Sequence, residues 1–268
     1  VYPYNFAEYL DAHQVAHTKT AQTATKTRAI LQHHFDEYLQ YGGFPEGINL
    51  PSKRDYLMSV YQKIYLGDIA ARHRIENAFA LRFLFKKLSE SIMQPLSFTR
   101  LANLITSTGS KISKATVINY MEYAKDSYLI FSIKNIASHI AEREGNPKYY
   151  FVDNGIISLL TLNAESALLA NMVAMELMRR YGQDNQVFFY NDKVEVDFYI
   201  PETGTAIQVS MYPHESDETW RRETEALVRM NKHLPCSTHL LLTMNEEDTI
   251  IIDGITIHMI PIWKWLLN

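Results

Sequence analysis

The sequence predicts a mixed α+β chain, helical over its first part and α/β over its last third. Two observations carry this. Apolar residues recur at three- and four-residue spacing as far as about residue 126, and from about residue 186 they alternate or form short blocks between turn residues. At 268 residues the chain is long enough for one large domain or two modest ones. With 47% hydrophobic and 21% charged residues it has a globular composition, which excludes a disordered tail, a collagen-like fibre and a coiled coil. No apolar run reaches the ~18 residues of a membrane span. One cysteine, Cys236, leaves no internal disulfide framework and no multi-cysteine zinc site. Nothing at the start resembles a signal peptide, so a cytoplasmic protein is the simplest reading. The chain opens on Val1 rather than Met, as a cleaved or truncated product of a longer protein would.

Helices are expected over 5–13 and 23–40, the second with Ile30, Leu31, Phe35, Tyr38 and Leu39 at helical spacing. Gly42 and Gly43 follow at once, supplying positive φ for a C-cap, and Pro45 stops the helix from resuming. A long helix is expected over 52–75, with Tyr56, Leu57, Val60, Tyr61, Ile64, Tyr65 and Ile69 along its stripe. Further helices follow over 78–93, over 97–106 with Ser97 as N-cap, and over 113–126 with Ser113 at its start. Strands at 128–133 and 148–152 flank the polar stretch Asn135 to Pro147. This is the element order of a winged helix-turn-helix. After Asp153 the pattern becomes a helix over 164–181, strands at 186–190, 194–200 and 205–211, a charged helix over 217–233, and strands at 238–243, 249–252 and 255–260. The expected division is therefore a helical region over 1–77, a winged helix over 78–153 and an α/β unit over 154–268.

Charge is uneven: net zero over 1–77, +5 over 78–150 and −9 over 151–268. The middle third suits a polyanion or an acidic neighbour, and the last third repels one. Arg100, Lys111, Lys114 and Lys125 stand near the helix-turn-helix, with Lys111 and Lys114 where a recognition helix would begin. Glu122 and Asp126 share that helix.

In the strand 194–200, Glu195, Asp197 and Tyr199 share one face, and in the next strand Ala206, Gln208 and Ser210 share a face. Asp197, Gln208 and Ser210 are thus expected to line one side of a two-stranded unit. Glu176 lies on a helical stripe with Leu169, Met172 and Val173, and needs a partner if it is buried. Glu176 and Asp197 are expected to approach each other at the helix–sheet boundary. The arrangement resembles the PD-(D/E)XK, restriction-endonuclease-like core, in which a helix Glu, a strand Asp and a Glu-x-Lys on the next strand hold Mg²⁺ and assist the attacking water. Here the third element reads Gln208-Val209-Ser210. Gln offers a neutral carbonyl and Ser no positive charge, so the resemblance implies a degenerate nuclease-like domain without catalytic residues. A metal-dependent nuclease is the remaining enzymatic alternative.

Tyr2-Pro3-Tyr4-Asn5-Phe6, the stretch Tyr41-Gly42-Gly43-Phe44-Pro45-Glu46, then Tyr65-Leu66-Gly67-Asp68-Ile69 with Arg72, the helix Asn171 to Leu177 and Glu195-Val196-Asp197-Phe198 together resemble the prokaryotic AAA-type ATPases with a C-terminal domain of unknown function. That resemblance covers nearly the whole chain. It implies an N-terminal P-loop ATPase domain in the parent protein, with ATP and Mg²⁺ as that protein's cofactors. No G-x-x-x-x-G-K-[ST] loop occurs in this chain, so no nucleotide or metal cofactor is expected of it alone. By the same resemblance, Asp68, Arg72 and Arg74 would contact the ATPase domain or a neighbouring subunit. The expected function is an accessory, regulatory module making protein or nucleic-acid contacts, with DNA binding as the alternative. DNA and a homo-oligomer are the other partners open to it, and a membrane is not. The pairs His13/His17 and His33/His34 lack a third metal ligand, and Cys236 reads as an inert thiol. Trp220-Arg221-Arg222-Glu223 reads as surface pairs.

Overall fold

The computed structural model describes residues 2–137, 146–162, 164–182 and 186–268. The chain is α+β, with helices packed on a mixed sheet. Helix α1 spans Phe6–Ala12 and starts on a capping box: Asn5 accepts from the Glu8 amide at 2.8 Å while Glu8 accepts from the Asn5 amide at 2.8 Å. Between the two expected helices lies a short one, α2 (Lys19–Thr23), capped by Thr18, and α3 (Thr25–Tyr41) follows. The long helix expected over 52–75 divides. Its first part is α-helical, α4 (Lys53–Gln62), and the rest, Lys63–Ala71, winds as a π-helix in which Arg72 donates back to Gly67 at 3.3 Å. Tyr61 and Tyr65 stack across the junction at 5.8 Å, so both rings stay buried through the change of pitch.

Helices α5 (Ala78–Glu90), α6 (Phe98–Ser107) and α7 (Lys114–Asp126) start on Asn77, Ser97 and Ser113, whose side chains accept from backbone amides of the first turn. The hairpin β1 (Ile130–Asn135) and β2 (Lys148–Phe151) comes next. Most of the Asn135 to Pro147 stretch expected between them, residues 138–145, lies outside the described residues. A helix the spacing did not predict, α8 (Asn154–Leu160), is capped by Asp153, and α9 spans Glu165–Tyr181. Then come β3 (Phe188–Asn191), β4 (Glu195–Ile200), β5 (Thr205–Ser210), α10 (Asp217–Met230), β6 (Thr238–Thr243), β7 (Asp248–Ile252), β8 (Ile255–Pro261) and α11 (Ile262–Trp265).

Among the described residues eight strands form one sheet in the order β2-β1-β3-β4-β5-β6-β8-β7. The hairpin joins it because β1 runs parallel to β3, with Lys134 and Asn135 opposite Phe188 and Phe189. The expected boundary at 153/154 therefore falls inside one continuous sheet. Phe198, Ile207 and Val209 pack into the core shared with α9, while Tyr199, Ala206 and Leu241 pack with Ala226, Leu227 and Met230 of α10.

A buried polar network locks the helices to one another. The Gly43 amide donates to Asp153 Oδ2 and the Gly155 amide to Oδ1, both at 2.8 Å. Tyr4 donates its amide to the Gly43 carbonyl, and the Tyr38 hydroxyl donates to the Tyr4 carbonyl. Gly42 has φ +72°, and a Cβ there would lie 1.9 Å from Asp153 Oδ1. Asn154 donates to the carbonyls of Leu39 and Leu168, and Asn171 pairs with both the amide and the carbonyl of Phe151. The Tyr-Gly-Gly-Phe stretch is thus a docking point for an interior carboxylate.

Candidate functional site

The sheet is interrupted where β4 meets its two neighbours. Between β3 and β4 the register shifts, so that Asp197 and Phe198 span where β3 has only Phe189. This is a β-bulge, a device that re-aims side chains. Between β4 and β5 the backbone pairing runs from Ile200–Thr205 to Phe198–Ile207 and stops. One step further, side chains replace the ladder. The Asp197 amide donates to Gln208 Oε1 at 2.7 Å, and the Val209 amide donates to Asp197 Oδ2 at 3.0 Å. Asp197 and Gln208, expected along one side of a two-stranded unit, meet here as a fork in the sheet. Ser210 is buried at the end of β5, opposite Thr243 of β6.

Two residues the sequence reading did not assign complete the fork. Lys148, at the start of β2 and 0% exposed, places Nζ 2.9 Å from Glu195 Oε1, 3.7 Å from Asp197 Oδ1 and 4.9 Å from the Phe189 ring centre. Glu223 of α10 is buried, accepts from Gln208 Nε2 at 2.8 Å, and is held by Arg222 through Nε at 3.1 Å and a terminal nitrogen at 2.7 Å. The reading of Arg222-Glu223 as a surface pair is corrected for Glu223, which points inward. The missed signal is helical spacing: Glu223 shares a stripe with Ala226, Leu227 and Met230. Lys148 had no such signal, because its partners lie some fifty residues downstream.

Burial pushes the Asp197 carboxyl above the ordinary carboxylate range, with Lys148 and the Val209 amide pulling it back. Glu223 is likewise raised by burial, against the pull of Arg222. The Tyr150 hydroxyl is buried without a hydrogen-bond partner among the described residues. Burial, then the charges of Asp197 and Glu195, hold it well above the usual phenol range. An open cleft of about 410 Å³ covers the fork, lined by Glu195, Asp197, Gln208, Arg222, Glu223 and Gln94 among others.

Glu176 is not part of this site. It binds Arg180 Nε at 2.7 Å and lies 3.7 Å from Arg179, and Arg180 stacks on Trp265 at 4.6 Å. Among the described residues it shares no partner with Asp197, and the expected approach of the two acids is corrected: arginines one turn along α9 satisfy the buried carboxylate.

The donor set does not fit a hard divalent cation, which takes six or more oxygens. Asp197 Oδ2 is held by the Val209 amide, Gln208 Oε1 by the Asp197 amide, and Glu223 by Gln208 and Arg222. Among the described residues no group of three or more His, Cys, Asp or Glu side chains is placed to hold a metal. His17 pairs with Asp11 at 3.0 Å, and His13 bonds the Tyr9 carbonyl. Burial pushes the Cys236 thiol up to about 11, which keeps it a thiol at neutral pH.

Of the four basic residues expected on a helix-turn-helix, Arg100, Lys111 and Lys114 are exposed, with no side-chain hydrogen bond or ion pair among the described residues. Lys125 lies 3.2 Å from Glu122 and is neutralised by it. Asp68 is half-exposed on the π-helix, and Arg72 and Arg74 are exposed beyond it. Between them His73 stacks on Tyr123 of α7 at 3.6 Å, which ties this segment to that helix.

Residues 32–167 match the domain of unknown function DUF8612, and the chain belongs to that family. It is 31% identical over 281 residues to an uncharacterized protein of Methanocaldococcus jannaschii, covering 100% of this chain and 63% of the relative. It is 26% identical over 276 residues to an uncharacterized protein of Haemophilus influenzae, covering 100% of this chain and 64% of the relative. The chain thus spans just under two thirds of the length of these relatives. No solved structure matches it. No helix among the described residues is long and apolar enough to cross a membrane.

Proposed function

We propose that this chain is a non-catalytic accessory module of a larger prokaryotic AAA-type ATPase, and that its winged helix-turn-helix holds nucleic acid by the phosphate backbone. The observation that carries the binding surface is the trio of unpaired cations, Arg100 on α6, Lys111 in the turn and Lys114 at the start of α7. Three cations at the junction of two helices suit contact with successive phosphates, which positions a protein on a duplex without reading its sequence. The restriction-endonuclease-like reading of the C-terminal sheet supports the non-catalytic part, since the fork's oxygens are already engaged. The greater length of both relatives is consistent with a further domain in the parent protein.

Fluorescence anisotropy of a labelled duplex tests this. Binding is expected to weaken with salt with a slope of about −2.7 in log K against log salt, at ~0.9 per phosphate for three contacts. A variant with Arg100, Lys111 and Lys114 all changed to Ala should bind no duplex at low salt. Unchanged binding by that variant would remove the assignment. Full-length protein should hydrolyse ATP, and this chain alone should not.

A further inference from the structure

The fork encloses an ammonium group among oxygens. Lys148 has no exposed surface, and a buried charge is tolerated only with close, well-placed partners. Its partners are Glu195 Oε1, Asp197 Oδ1 and the face of the Phe189 ring. Asp197 can turn only one oxygen to Lys148, because the Val209 amide holds the other. The bulge in β4 and the loss of ladder pairing beyond Phe198 bring Asp197 and the Glu195 side chain toward the same point. Beside them the buried Tyr150 hydroxyl has no partner among the described residues, although Asp197 and Glu195 are near enough to oppose its ionisation. Two carboxylate oxygens and an aromatic face thus meet at a position that holds a cation belonging to the protein. Lys148 reaches it from β2, on the far side of β1 and β3 in the strand order.

We propose that the Lys148 ammonium is a built-in counter-ion that occupies the cation position of the β4–β5 fork and keeps divalent metal out of it. Removing that ammonium frees Asp197 Oδ1 and Glu195 Oε1, two hard anionic oxygens that would hold a cation such as Mn²⁺ with water in its remaining positions. The inference rests on the non-catalytic reading and deepens it, because it names what holds the site inactive. Lys148 sits on the hairpin that follows α7, so the same ammonium also pins the hairpin to the fork.

The test is calorimetric titration of Mn²⁺ into the full 268-residue chain and two variants. Wild type should show no saturable binding below about 1 mM, while Lys148→Ala should bind one Mn²⁺ at least about tenfold more tightly. Lys148→Ala/Asp197→Asn should lose that binding. If Lys148→Ala fails to fold in EDTA, cooperative unfolding recovered in Mn²⁺ supports the proposal. A variant that stays unfolded in Mn²⁺ while Lys148→Met/Asp197→Asn folds overturns it, as does a folded Lys148→Ala that binds no Mn²⁺. Plasmid incubated with each sample separates the two readings. Saturable Mn²⁺ binding by wild type without cleavage overturns the counter-ion assignment alone, and binding with cleavage overturns the non-catalytic reading as well.

Discussion

Two buried polar clusters in this chain are built differently. In the first, around Asp153, one carboxylate is satisfied mainly by backbone amides from the Gly-Gly turn and from the start of α8, and amide side chains tie α3, α9 and β2 together. In the second, around Asp197, side chains of opposite charge meet where the sheet ladder fails, and a cleft opens above them. The first is closed, with geometry set by glycines that accept no side chain. The second is held by charges that any change of one partner leaves unbalanced. Residues 32–167, the family match, contain Tyr38, Gly42, Gly43, Asp153 and Asn154, whereas the fork lies beyond it apart from Lys148 and Tyr150. One buried acid here is closed in by backbone amides, and the other meets a lysine ammonium from the hairpin.

The largest expected effect lies in the first cluster. Gly42→Ala puts a methyl group into the Asp153 carboxylate at a left-handed φ, and should cost about 4 kcal/mol or prevent folding, read by urea denaturation. In the second cluster Lys148→Met leaves Asp197 buried beside Glu195 without its cation, and a loss of about 3 kcal/mol is expected in the same assay. A loss of a few tenths would place that ammonium in solvent. Asn171→Leu keeps volume but orphans the Phe151 amide and carbonyl, and should cost about 2 kcal/mol.

A smaller effect separates the clusters by pH. Burial raises Asp153 to about 7, so the native state holds a proton there that the unfolded chain has already released. Between about pH 4 and pH 7 the unfolded chain binds fewer protons at this group, and its contribution to stability falls as pH rises. Asp153→Asn should flatten the unfolding midpoint over that window. An unchanged slope would mean the carboxyl titrates normally. The smallest effect on stability, within about 0.5 kcal/mol, is expected for Arg100→Ala, Lys111→Ala and Lys114→Ala, whose exposed side chains make no hydrogen bond or ion pair among the described residues.

Much of the fold was legible because its signals are local. Ser97 and Ser113 announce α6 and α7, and alternation along 194–200 and 205–211 identifies β4 and β5 and gives the faces of Asp197 and Gln208. Helix α8 was missed because Gly155 interrupts its first turn, and the π-helix because apolar spacing does not distinguish pitch over nine residues. The fork was half legible. Alternation tells which way Asp197 faces but not what meets it, and Lys148 comes from a hairpin that joins the sheet only through tertiary pairing. The helical stripe shows that Glu176 needs a partner but does not choose between a distant acid's surroundings and the arginines three and four residues on, Arg179 and Arg180, which hold it.

The most direct test of the account is a double-variant cycle on stability using Lys148→Met and Asp197→Asn, each alone and together. The paired change is expected to restore most of what either single change removes, a coupling of about 2 kcal/mol. Additive losses would show that Lys148 and Asp197 do not neutralise each other, and the fork would then not hold its own counter-ion.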